Sequence, residues 1–191
     1  MTSMSTLMFP IGQCLGTYYA DAEDIHVQQV RLGWEIVELG DEEFAVWALA
    51  HGLAENRDPW DRARMTALLA GRKIQDPAVL IESLLSRTLL AEVDLDAPAD
   101  FAARHRLLPL HIGHGNSPEA TTVFTTGTTG QPLVGMTRTL YDLWLLCHLS
   151  PSLLIACQER DTDVGAVLTA LHPLLASSAA CLDIAVPEGR P

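Results

Sequence analysis

The segment His111-Ile112-Gly113-His114-Gly115-Asn116 carries the residue types best suited to chemistry in this chain. Two imidazoles three residues apart can share a zinc ion, and Cys14 or the Cys147-His148 pair would complete a tetrahedral set. Zinc motifs draw on two ligand pairs with supporting spacing, and no second pair accompanies this one. His111 and His114 therefore stand as metal-ligand candidates against the plainer reading, a glycine-rich loop leading into a strand. No cofactor is expected. Thr125-Thr126-Gly127-Thr128-Thr129-Gly130-Gln131 has the composition of a phosphate loop. It lacks the Gly-Lys-Ser/Thr ending, and it joins two expected strands where a phosphate cradle needs a helix N-terminus. It reads as a hairpin turn. The sequence holds no Gly-x-Ser-x-Gly elbow, and no Ser/His/Asp set can be assembled from spacing.

A second constellation is the pairing of Trp and His. Phe44, Trp47 and His51 recur as Tyr141, Trp144 and His148, an aromatic followed by Trp at +3 and His at +7, at an offset of 97 residues. On an apolar helix face such residues pack, with ring nitrogens turned to backbone carbonyls, so they are read as core and not as catalysts.

The elements that must position these residues follow from composition and pattern. The chain has 191 residues, 48% hydrophobic and 19% charged, as expected of a core-forming protein. No apolar run reaches the roughly 20 residues that span a bilayer, and the first residues lack a basic region ahead of an apolar stretch. A cytoplasmic protein without membrane association is expected. Four widely spaced cysteines, none in Cys-x-x-Cys, are expected as buried free thiols. The net charge is −12 and Lys73 is the sole lysine. Through residue 100 there are seventeen acids against seven bases, and beyond it seven against five. An acidic surface repels phosphate backbones, which argues against a nucleic-acid partner.

His26–Leu32, Gly33 and Trp34–Leu39 read as a hairpin whose second strand alternates apolar and acidic residues. A helix follows, with Asp41 as the expected N-cap and Glu42 and Glu43 near its positive end. Asp58-Pro59 and Asp76-Pro77 are expected to open two further helices, each a cap followed by proline at the first position. Leu89–Val93 reads as a returning strand. The same order recurs downstream. Ile36–Leu39 corresponds to Pro132–Met136, Asp76–Ile81 to Asp163–Leu168, and Leu90–Leu95 to Ala179–Ile184, while Pro10-Ile11-Gly12 echoes Pro109–Gly113. Several matches in one order indicate duplication. The expected fold is a helix-rich α+β chain of two tandem winged-helix-like units, residues 1–96 and 97–191. Each has a small antiparallel sheet and about three helices, and Asp96–Asp100 is the expected linker. In the second unit Thr129-Gly130-Gln131 should turn a hairpin, and Pro151 should start a helix running through Gln158. Its nearly neutral, Leu-, Ala- and Ser-rich surface suggests burial against a partner or the first unit.

Winged helices commonly read DNA with Arg, Lys, Asn or Gln on one helix. Here the third helix of the first unit offers Glu82, Ser83, Ser86 and Arg87, and residues 163–176 contain none of the four types. From Val30 to Leu95 the order of elements resembles the PqqD-like winged-helix family, the peptide-recognition elements of ribosomal natural-product pathways. Glu38–Gly52 carries the likeness through its strand, aromatic-containing helix and closing glycine. The resemblance implies an extended peptide added to a strand beside the third helix. Its binding residues would be Trp34, Ile36, Glu38, Leu80, Leu84 and Arg87, with a partner rich in basic residues to suit the acidic strand. The expected function is thus a non-catalytic peptide- or protein-binding adaptor of a natural-product or regulatory gene cluster. The alternatives are a DNA-binding regulator, a structural subunit, and an enzyme with a site between the units; a homodimer is left open.

Overall fold

A computed structural model of the chain describes residues 6–20, 25–53 and 59–187. It is a mixed α+β protein with small antiparallel sheets. Two compact units are present, Met1–His51 with Asp58–Asp96, and Gly52–Arg57 with Ala97–Pro191. No helix among the described residues is long and apolar enough to cross a membrane.

Unit 1 begins with two strands absent from the sequence reading, β1 (Thr6–Pro10) and β2 (Gln13–Tyr19). Gly12 turns the chain between them at φ +104°, and a Cβ there would come within 2.6 Å of Val30 Cγ1 and 2.7 Å of the Arg31 carbonyl. Only glycine meets both demands. β3 (His26–Leu32) and β4 (Glu35–Leu39) form the expected hairpin, closed by Gly33 at φ +62° and Trp34. Positive φ at the first turn residue alone suits the twist of the flanking strands. The sheet runs β2-β3-β4, all antiparallel. The apolar alternation expected of β4 breaks at Ile36-Val37: Leu39 is buried and Val37 half-buried, while Ile36 is 58% and Trp34 75% exposed.

Three helices follow: α1 (Asp41–Leu49), α2 (Arg62–Ala70) and α3 (Pro77–Ser86). Gly40, not Asp41, is the N-cap of α1, and Glu43 completes the cap by accepting from the Gly40 N–H at 3.3 Å. The Asp41 carboxylate instead accepts from Gln28 Nε2 at 3.3 Å and meets His26 Nε2 at 3.1 Å, contacts that hold its pKa below the usual value. α2 starts at Arg62 because Asp61 caps it, accepting from Arg64 N at 2.8 Å. The expected start at Asp58-Pro59 is three residues early, and Asp58 itself lies outside the described residues. α3 starts at Pro77 as expected, but Asp76 before it is left-handed at φ +47° and its side chain makes no capping bond. It ends on Thr88 at φ +59°, with the Leu89 N–H donating back to the Leu84 carbonyl at 2.9 Å. This left-handed ending turns the chain into β5 (Leu90–Asp94), which pairs antiparallel with β1. Trp47, Trp60, Phe9, Ile11, Met65 and Leu84 fill the core, and Trp47 Nε1 donates to the Ile11 carbonyl at 3.0 Å.

Unit 2 opens with α4 (Pro98–Arg104), so the expected linker already contains a helical turn. Then come β6 (His105–Pro109), β7 (Ile112–Ser117), β8 (Ala120–Thr128) and β9 (Gln131–Met136). The helices are α5 (Arg138–Leu146), α6 (Leu153–Gln158), α7 (Val164–Thr169) and α8 (His172–Ala176), and β10 (Ala180–Ile184) closes the unit. α6 starts two residues later than expected, at Leu153, because Ser152 caps it through Ile155 N. Pairing follows the rule of unit 1: β6 with β10, and β7-β8-β9 as a meander. Ser178 at φ +55° takes the place of Thr88, with the Ala179 N–H donating to Leu174 O at 2.8 Å. Where unit 1 has one helix, unit 2 has α7 and α8, since Pro173 has no N–H to extend the ladder.

Candidate functional site

Among the described residues, each meander ends on a strand paired on one side only, β4 in unit 1 and β9 in unit 2. Such an edge offers unpaired backbone donors and acceptors, the chemical basis of strand addition. What stands beside the two edges differs.

In unit 1, Trp34, Ile36 and Glu38 are exposed along β4. Leu84 is wholly buried in the core and offers no surface, whereas Leu80 is half-buried on α3. Arg87 follows α3 and reaches back to the strand. Its Nη1 donates to Glu43 Oε1 at 2.7 Å and its Nη2 to the Glu38 carbonyl at 3.2 Å. The guanidinium thus ties α3, α1 and the β4 edge together.

In unit 2 the equivalent place is open. Leu39 and Met136 end β4 and β9, Trp47 and Trp144 lie in the following helices, and Thr88 and Ser178 end the last ones. Counting from these landmarks, Glu38 corresponds to Gly135, Glu43 to Leu140 and Arg87 to Ser177. None of the three can rebuild the tie. Gly135 brings no side chain, Leu140 no charge, and the Ser177 hydroxyl donates to its own helix at Pro173 O, 2.7 Å. A cleft of about 340 Å³ lies there, lined by Val134 and Met136 of β9, Leu140 of α5, Val167 of α7, Ala170, and Leu174 of α8. Three threonines, Thr137, Thr139 and Thr162, supply the polar part of its wall, and no charged residue lines it. Its volume is that of a small ligand site or of one or two large apolar side chains. Gly135 is required by its own neighbour, since a Cβ there would come within 2.9 Å of Val123 Cγ1.

Sequence reasoning placed the groove in unit 1 and took unit 2 as a packing surface. A signal for the cleft existed in Gly135 inside a strand and in the small residues Ala166 and Ala170, but small residues fit close packing equally well.

The histidine segment is strand, not loop, for residues 112–117. His114 Nε2 lies 3.0 Å from the Thr128 carbonyl across the sheet, and His111 Nδ1 is buried without a hydrogen-bond partner. Among the described residues no three His, Cys, Asp or Glu side chains gather as a metal site. Of the Trp-His pairs, His51 packs edge-on against Trp47 at 4.5 Å, while His148 is exposed and so is not a core residue. Cys147, Cys157 and Cys181 are buried free thiols, but Cys14 is exposed on β2. No protein-family model, no curated protein and no solved structure matches the chain.

Proposed function

We propose that this chain is a non-catalytic recognition protein that takes an extended peptide segment of a partner along the outer edge of β9. An apolar side chain of that segment would enter the cleft. The observation that carries this reading is the juxtaposition of an unpaired strand edge with an uncharged cavity of about 340 Å³. The strand edge supplies main-chain hydrogen bonds and the cavity supplies selectivity for the inserted side chain. An ionised side chain would lose its hydration there without a partner, so the favoured occupant is apolar and uncharged.

The reading also takes the two units as winged-helix-like copies of one ancestral unit, akin to PqqD-like peptide-recognition elements. It is supported by the common strand order, by Trp47 and Trp144 at matching helix positions, and by the shared left-handed endings at Thr88 and Ser178. Divergence then divided the labour: unit 1 is tied by Arg87, and unit 2 receives the peptide.

A display library of random octapeptides selected on the full chain tests this. Sequences with a central large apolar residue should be enriched and should no longer be retained by an Ala170→Arg variant, which places a charged chain in the cleft. Enrichment of sequences that bind the variant equally well, or enrichment of duplex DNA from a parallel pool, would contradict the reading.

A further inference from the structure

α7, which walls the cleft with Ala166 and Val167, has six residues, too few to hold a helix in water without tertiary support. Among the described elements its main support is α4, whose Pro98 Cγ lies 4.0 Å from where a Cβ on Gly165 would stand. α4 is itself a seven-residue helix, and Ala97 at its N-cap has no side chain with which to cap it. Phe101 and Ala102 bury α4, and His105 closes its C-terminal end. The backbone N–H and the ring Nδ1 of His105 both reach the Phe101 carbonyl, the latter at 2.9 Å, and the ring stacks on that of Phe101. A carbonyl only accepts, so Nδ1 carries the hydrogen and Nε2 is the nitrogen left to gain a proton.

A charge gained there is poorly compensated, because His105 is 4% exposed. Arg104 at the end of α4 repels it, and Asp183 of β10, which attracts it, already meets Arg106 Nη2 at 3.2 Å. The other acids on the elements packed against β6, Asp100 of α4 and Asp142 of α5, are exposed, and Asp142 is paired with Arg138. Those elements otherwise bring the Cys147, Cys157 and Cys181 thiols, the Tyr141 phenol and the exposed His148. Burial therefore holds the imidazole below its ordinary pKa, against the pull of the Phe101 carbonyl and of Asp183. We propose that His105 is an acid-sensitive latch behind the cleft: a proton on Nε2 releases α4, and α7 with it, so that the cleft loses its wall and its peptide in acid. Once α4 opens, the solvated ring takes up its proton at the ordinary value of about 6.5. The ratio of open to closed molecules then rises by at most about 25-fold from pH 7 to pH 5, the limit reached if the closed form stays neutral. The opening stands on packing within unit 2 alone, and its consequence for binding rests on the cleft reading.

The test is backbone amide hydrogen exchange of the full chain without peptide, at pH 7, 6 and 5, corrected for intrinsic exchange rates. Protection of α4 and α7 should fall together, by no more than about 25-fold, while that of α1 in unit 1 and of β8 in unit 2 stays level. His105→Phe keeps a stacked ring without the titrating nitrogen and should flatten the profile. His105→Gln serves the same purpose if the phenylalanine variant does not fold. Protection of α4 and α7 that is indifferent to pH, a fall shared equally by β8, or an unaltered profile in the variants would overturn the proposal. The apolar peptide selected on the chain separates the two readings. Exchange that follows the pH, with no peptide retained at pH 7, would uphold the latch and refute the cleft reading; a peptide bound alike at pH 7 and pH 5, over level exchange, would do the opposite.

Discussion

Replacing Asp183 should be among the most damaging single changes in unit 2. Asp183 is wholly buried in β10, opposite Arg106 of β6, with Arg106 Nη2 3.2 Å from its Oδ2. At the matching register of unit 1, Leu7 of β1 faces Val93 of β5, both 2% exposed. An ion pair thus stands where the other unit buries two aliphatic side chains. Breaking a buried pair by removing one partner costs about 3–5 kcal/mol, because the remaining charge is left uncompensated. The Arg106 side chain is 22% exposed and so keeps some solvation, which puts Asp183→Ala near the lower limit, about 3 kcal/mol. With a urea slope of about 1–3 kcal/mol per molar, the midpoint should fall by about 1–3 M. The double variant Arg106→Leu/Asp183→Val imitates unit 1. Arg106 Nε is buried without a hydrogen-bond partner, so the pair is imperfectly satisfied, and exchange for packed aliphatics should be neutral or stabilising by about 1–4 kcal/mol. Urea denaturation of wild type, both single variants and the double, followed by far-ultraviolet circular dichroism, measures the coupling. A loss below about 1 kcal/mol for Asp183→Ala, or a double variant as unstable as either single one, would refute the reasoning.

Burial pushes the Cys147 thiol up to about 12 and that of Cys157 to about 11, and Cys181 is also buried. Ellman's reagent at pH 8 should therefore modify Cys14 rapidly and the other three thiols only after denaturation, and fast labelling of a second thiol would contradict this burial. His105 is buried, stacked on Phe101 with ring centroids 4.2 Å apart, and burial lowers its pKa despite the Phe101 carbonyl that favours the charged ring. A depressed histidine pKa means that the unfolded chain takes up the proton first. Its contribution is complete above the unfolded value of about 6.5 and is lost as the pH falls below it. The melting temperature of His105→Gln should accordingly fall less between pH 7 and pH 5 than that of wild type, and parallel curves would exclude the effect.

What was legible in the sequence is what local chemistry decides. The β3–β4 hairpin announces itself through Gly33 between two strand-like runs, and α3 through Pro77. β1 escaped because Leu7-Met8-Phe9 is apolar on both faces and so has no alternation, and because its partner β5 is remote in the chain. β7 escaped for a tertiary reason. A Cβ at Gly113 would collide with the Tyr141 hydroxyl, and the Gly115 N–H donates to that same hydroxyl at 3.2 Å. Gly113 admits a tyrosine from α5 across the strand, yet in the sequence the two glycines resemble a loop. The cleft was hidden for a third reason. Its walls are uncharged residues from β9, α5, α7 and α8, several of them as small as Gly135, Ala166 and Ala170, and such scattered residues leave no motif. The contacts of Arg87 with Glu43 and the Glu38 carbonyl, by contrast, join residues 44 and 49 positions apart and leave no local pattern to read.

Met136 offers the most direct test of the cleft as a binding site, because it lines the cleft and is the sole methionine beyond residue 65. The full chain labelled with ¹³C at the methionine methyls should show a saturable shift of the Met136 signal when an apolar peptide selected on the protein is added. The Met8 and Met65 signals, buried in unit 1, should stay in place, and Ala170→Arg should abolish the response. Binding of such a peptide with no movement of the Met136 methyl would contradict the account.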